Sequence, residues 1–188
     1  MVKLTVFWEQ HGVVMMDFLA EGTAVAGDYY ITLLQKVREV FKAKRCRVLT
    51  KGVCLLQDSA LVPNPHIAQM KALFFGYDIL PHPPFSPDVA PSGFHLFPPI
   101  KKKSKGKRLQ KETLISEVAL WLQTQPADFY KRGDQSCKKR WDKCVTLGGT
   151  LVLLVRFFIP VFPWDIIGIS GMRKPVEGIT ELNSKHPI

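Results

Sequence analysis

The side chains best able to do chemistry in this 188-residue chain are cationic and crowded into one stretch. Lys101, Lys102, Lys103, Lys105, Lys107, Arg108 and Lys111 fall close together. Cations at that density neutralise phosphates without reading bases, which gives salt-sensitive, sequence-independent nucleic-acid binding. The net charge of +10 is localised in the same way: residues 1–100 carry 9 Lys/Arg against 8 Asp/Glu, residues 101–150 carry 13 against 5, and residues 151–188 carry 4 against 3. The middle stretch therefore holds +8 of the +10, a local field that draws polyanions. The competing reading is a solvated basic loop with no partner. The run also resembles a basic nuclear-localisation patch, so the expected compartment is the nucleus, with the cytoplasm as the alternative.

Spacing excludes several other chemistries. Cys46 and Cys54 are separated by seven residues and Cys137 and Cys144 by six, wider than a CxxC zinc knuckle. Free thiols in a reducing compartment are expected, since the N-terminus shows no secretory signal pattern. The histidines at 11, 66, 82, 95 and 186 form no HxxxH or HExxH pair. There is no glycine-rich phosphate loop and no GxSxG elbow, so nucleophilic catalysis has no support.

The elements that would position these residues follow an α/β order. Residues 2–8 and 13–19 are apolar runs around the Glu9-Gln10-His11-Gly12 turn, which reads as a β-hairpin with Met15, Met16 and Phe18 divided between its faces. Residues 28–44 place Tyr30, Leu33, Leu34, Val37, Val40 and Phe41 at helical spacing. Residues 52–56 form a continuous apolar run that fits a strand buried on both faces. A helix over 66–75 with Gly76 as its cap and a strand over 77–80 come next. Prolines rule out regular structure over 81–91, and Ser92 is placed to cap a further helix that Pro98 and Pro99 would end or bend. Helices over 111–123 and 126–144 complete the order, the last with Pro126 in its first turn.

The segment LPHPPFSPDVAPSGFHLF at 80–97 is similar to the mariner transposase signature HPPYSPDLAPSDYHLF. TVFWEQHGVVMMDFL near the start, GVCLLQDSA at 52–60, and QPADFYKRG with RWDKCVTLGG at 125–149 resemble the family in the same order. The resemblance covers residues 1–149. It implies an RNase H-like fold, DNA strand transfer, a homodimer, and two Mg²⁺ ions held by acidic side chains, the metals activating one oxygen and stabilising the other.

Members of this family use three aspartates: one on the opening strand, one at the end of a buried strand, and one 35 positions later. The chain begins with what resembles the family's second strand, so the first aspartate is missing, as is the helix-turn-helix region that reads transposon ends. Asp58 matches the second and is the one catalytic and metal-ligand candidate. Thirty-five positions onward stands Gly93. Asp88, five residues before Gly93, is misplaced as a substitute, and Glu9 and Asp17 read as solvent-facing acids of the hairpin. The family's HDNA reads Gln57-Asp58-Ser59-Ala60 here, and His66 lies three residues late, a pattern of sequence drift.

The tail does not resemble the family. LVLLVRFFIPVFPWDIIGI at 151–169 is apolar but contains Arg156, Pro160, Pro163 and Asp165, which argues against a membrane span and for an appended, loosely packed segment. The expected protein is of the α/β class: a truncated RNase H-like domain, a mixed sheet with flanking helices, over 1–149, and a non-family tail over 150–188. The expected function is a transposase-derived protein without catalysis that binds nucleic acid weakly through residues 101–111. Mg²⁺ is the cofactor if activity remains, and otherwise there is none. The alternatives are a metal-dependent nuclease or transposase that borrows carboxylates from elsewhere, and a relic without a molecular role or a protein held at membranes by its tail.

Overall fold

The computed structural model describes residues 3–19, 27–50, 52–57, 65–83, 86–104, 111–147 and 166–173. Strands β1 (Lys3–Glu9) and β2 (Gly12–Leu19) form the expected hairpin. A register shift between Phe7 and Trp8 adds the local twist of a bulge. Helix α1 (Gly27–Thr50) crosses to β3 (Val53–Leu56), and helix α2 (Pro65–Phe74) connects β3 to its parallel neighbour β4 (Tyr77–Leu80). After the proline-rich segment come a π-helical turn (Ser92–Leu96), α3 (Phe97–Ser104), α4 (Lys111–Thr124), α5 (Ala127–Thr146) and a last strand, β5 (Ile166–Arg173).

The strands make one sheet in the order β2-β1-β5-β3-β4. Period-two alternation divides β1 between two cores: Leu4, Val6 and Trp8 face one way and Phe7 the other. On the Phe7 side, Tyr30, Leu33, Leu34, Val37 and Phe41 of α1 and Ala68 and Ala72 of α2 cover the sheet together with Val53 and Leu55. On the Trp8 side, Leu96, Phe97, Ile100, Leu122 and Tyr130 cover it. Met15 packs against the first core, and Met16 and Phe18 against the second. Helices on both faces explain why 52–56 reads as an unbroken apolar run.

Three local expectations are corrected. Ser92 caps no helix; it opens the π-helical turn, with no side-chain cap bond at that end. Pro98 and Pro99 do not end the helical run; they are the second and third residues of α3, directly after the π-helical turn. Pro126 is the extended residue before α5 rather than part of its first turn. Gly76 does follow α2, with φ +80 and its N–H bonded to Leu73 O at 2.9 Å, a backbone conformation that favours glycine.

The tail also departs from expectation. Its sequence reads as a loosely packed appendage over 150–188, yet Ile166–Arg173 lies inside the sheet, between β1 and β3. Backbone pairing on two sides explains this: an extended segment satisfies the inner edges of both neighbours at once. Among the described residues no helix is long and apolar enough to cross a membrane.

Candidate metal centre and nucleic-acid interface

Asp58 lies outside the described residues, but the strand end that delivers it is defined. Gln57, the residue before it, is 4% exposed and accepts a hydrogen bond from the Tyr30 hydroxyl. Burial pushes the Tyr30 phenol above its usual range, so it acts as a donor and not as an acid. This bond fastens the end of β3 to α1. Beside β3 runs β5, whose sequence Ile-Ile-Gly-Ile-Ser-Gly-Met-Arg contains no carboxylate.

Gly93 sits in the π-helical turn, its N–H bonded to Ala90 O at 2.9 Å. A Cβ added there would stand 2.2 Å from Pro87 O and 2.7 Å from Pro87 Cβ. The turn containing Pro87 is held in place from α5: Arg140 Nη1 donates to Asp88 O at 3.1 Å and Trp141 Nε1 donates to Val89 O at 3.0 Å. The Arg140 guanidinium also stacks 4.1 Å from the centre of the Phe94 ring, a cation–π contact. From the sheet, Trp8 Nε1 donates to Ser92 Oγ at 2.9 Å. Asp88 is buried within this seam, 5% exposed.

The hairpin acids are not solvent-facing. Glu9 is buried, and Asp17 accepts a hydrogen bond from the Tyr29 hydroxyl and lies 3.4 Å from Lys36 Nζ. Asp17 is covered because α1 packs over the hairpin. Desolvation, followed by the bond and charge of Asp17, raises the Tyr29 phenol above its usual range. His95 is a packing residue: its Nε2 lies 2.8 Å from Phe129 O and its ring 4.3 Å from that of Phe129. Gly133 makes room for it, since a Cβ there would stand 2.5 Å from His95 Cδ2. Burial, outweighing the Phe129 carbonyl, lowers the His95 pKa. His82 is half-buried. Burial above all, and then Asp134, pushes the Cys137 thiol up to about 12, so it is inert at neutral pH. Cys54, Cys137 and Cys144 are in no disulfide. Among the described residues no three His, Cys, Asp or Glu side chains come together as a metal site.

A family profile described as transposase (partial DDE domain) matches residues 2–51. The chain is 30% identical over 154 residues to the human histone-lysine N-methyltransferase SETMAR, covering 79% of this chain and 22% of that protein. It is 28% identical over 149 residues to the Mariner Mos1 transposase of Drosophila mauritiana, covering 78% of this chain and 43% of that one. The chain thus spans less than half the length of either relative. The Mos1 transposase catalytic domain with raltegravir and Mg superposes with a TM-score of 0.69 at 25% identity, over 78% of this chain and 83% of that one. A Mos1 paired-end complex with Mn gives 0.70 at 28% identity, over 76% and 42%. The fold and sequence are those of a mariner-type transposase catalytic domain. Its architecture is accordingly RNase H-like.

The described residues of this mariner-type domain do not fit a two-metal site. The strand beside β3 offers no acid, and Gly93, where the signature spacing sets the third aspartate, has no room for a side chain. Asp88 is buried in the turn whose backbone carbonyls Arg140 and Trp141 hold.

The basic stretch is described in part. Lys101, Lys102 and Lys103 form the last turn of α3, where the helix dipole favours cations. Lys102 and Lys103 are exposed; Lys101 is half-buried, and desolvation lowers its pKa. Consecutive helical residues point about 100° apart, so these three fan around α3 instead of forming one stripe. Lys103 shares a shallow cleft with Ile100, Glu117, Val118 and Trp121. Lys105, Lys107 and Arg108 lie outside the described residues. Lys111 opens α4, and its side chain lies outside them too. Lys138 and Lys139 are exposed on α5, whereas Arg140 is committed to Asp88 and Phe94.

Sequence reading missed the seam around Gly93. Its parts are far apart along the chain, since Trp8 and Ser92 are separated by 84 positions and Arg140 and Asp88 by 52.

Proposed function

We propose that this protein is a transposase-derived DNA-binding protein that does not cut DNA. The observation that carries the reading is the space around Gly93: the position that the mariner signature gives to a metal-binding aspartate is filled by the Pro87 backbone. Two-metal phosphoryl chemistry depends on acidic ligands that hold both ions. Asp58 alone would leave Mg²⁺ held largely by water.

What remains for function is electrostatic. With +8 concentrated in residues 101–150, the chain would bind duplex DNA through phosphate contacts from Lys101, Lys102, Lys103, Lys105, Lys107, Arg108 and Lys111, without sequence preference. The fan of lysines at the end of α3 supports contacts spread across a backbone more than a fixed grip on one phosphate. The solved paired-end complexes of Mos1 favour pairing of two copies on DNA, and a DNA ligand favours the nucleus.

Fluorescence anisotropy with a labelled duplex tests the binding. Affinity should fall steeply with salt, and replacing Lys101, Lys102, Lys103 and Lys105 together with glutamine should flatten the log–log slope by about 0.9 for each phosphate that is no longer neutralised. An unchanged slope in a variant with an unchanged melting curve would rule out the basic stretch as the DNA-binding surface.

A further inference from the structure

Strand β5 pairs with both of its neighbours. It runs parallel to β1, with Leu4 to Trp8 opposite Ile166 to Ser170, and antiparallel to β3, with Leu56 to Val53 opposite Ser170 to Arg173. Ser170 is therefore the shared register point, set between Trp8 and Leu56. Without this strand, β1 and β3 would each present an unpaired backbone edge between two cores, and buried backbone groups left without partners are destabilising.

The direction of the strand is informative. A strand entering β1 through a short hairpin would run antiparallel to it, whereas β5 runs parallel, as a segment returning from far along the chain can. The window also suits the slot by sequence. It lies between Pro163 and Pro175, is free of proline, and contains Ile166, Ile167 and Ile169. Proline cannot donate to a central ladder, and β-branched residues favour strands. Residues 147–165 separate α5 from β5 along the chain.

We propose that the space between β1 and β3 is a strand-binding slot, and that residues 166–173 of the same chain are its ligand, an internal donor strand that completes the mariner-type sheet. Insertion completes the fold but supplies no carboxylate, so structural integrity and metal binding are separated in this protein.

The natural Cys54 tests this directly, because it is a buried thiol outside any disulfide and opposite Met172. Antiparallel neighbours have Cα atoms about 4.5–5.5 Å apart, within the range a disulfide requires. Full-length Met172→Cys, oxidised mildly and mapped by peptide mass spectrometry, should link position 172 to Cys54 within one chain. Gly168→Cys, which would face Cys54 if the strand ran parallel to β3 with the same Ser170 register, should not. A link in the Gly168→Cys chain, a link only between two chains, or no link in either would overturn the proposal. Hydrogen exchange on the unaltered chain provides a readout independent of variant folding. Slow exchange throughout β1 and β3 is expected, and exchange along their slot-facing amides as fast as in an unfolded peptide would overturn the insertion.

Discussion

Gly93 lies against the carbonyl of Pro87 so closely that a Cβ on the glycine would stand 2.2 Å from that oxygen. The contact is with backbone, and the backbone is anchored: Arg140 and Trp141 bind the carbonyls of the next two residues. A side chain at position 93 therefore cannot be accommodated by rotating a neighbour. The seam must open.

Gly93→Asp should consequently destabilise the fold without creating a metal site. Gly93→Ala carries the same Cβ and should show a similar loss, roughly 1–3 kcal/mol as for other overpacked positions. Thermal melts of both variants check the cost, and calorimetric titration with Mn²⁺ checks the metal. Tight Mn²⁺ uptake by a stable Gly93→Asp chain would show that the seam does accept a side chain.

The bond from Trp8 to Ser92 joins the sheet to the same turn across 84 residues. Ser92→Ala would orphan a buried indole N–H at a cost of about 1–3 kcal/mol. Combining it with Trp8→Phe removes donor and acceptor together, so the double variant should lose less than the sum of the two single changes. Strict additivity in denaturant melts would show that the bond does not couple the elements.

His95 sets a pH dependence. Burial lowers its folded pKa, while the unfolded chain takes up that proton near the ordinary value of about 6.5. Below that value the unfolded state binds more protons, so stability falls with pH until the folded pKa is passed, and then levels off. Above it the group contributes no slope. Urea melts between about pH 7.5 and about pH 5, a range that brackets the ordinary value, should show this decline, and His95→Gln should reduce it. An identical decline in the variant would assign the effect to other groups.

The fold was largely legible because its signals are local. The alternation in β1 and β2, the helical spacing from Tyr30 to Phe41 and the unbroken apolar run before Gln57 each follow from one period and one pattern of burial. Helix α2 was legible as a helix but not in its orientation: Ala68 and Ala72 face α1 and the sheet, while Met70 and Leu73 are more than half exposed. Small residues permit close approach, and hydropathy alone favours the opposite face. The candidate site was suggested only by the mariner-like signature, which singled out Asp58 and Gly93 as positions to consider. The burial of Glu9 and the clamp on the carbonyls of Asp88 and Val89 depend on contacts between distant segments, as does the placement of Ile166–Arg173 between β1 and β3. No window of sequence contains both partners.

Whether this mariner-type domain cleaves DNA is decided by nicking of supercoiled plasmid by the full-length chain with Mg²⁺ or Mn²⁺, run beside Asp58→Ala. Both proteins should leave the plasmid as intact as metal-containing buffer does. Nicking by the unaltered chain that Asp58→Ala abolishes would refute a DNA-binding protein without cleavage, and would mean that further carboxylates are supplied from elsewhere.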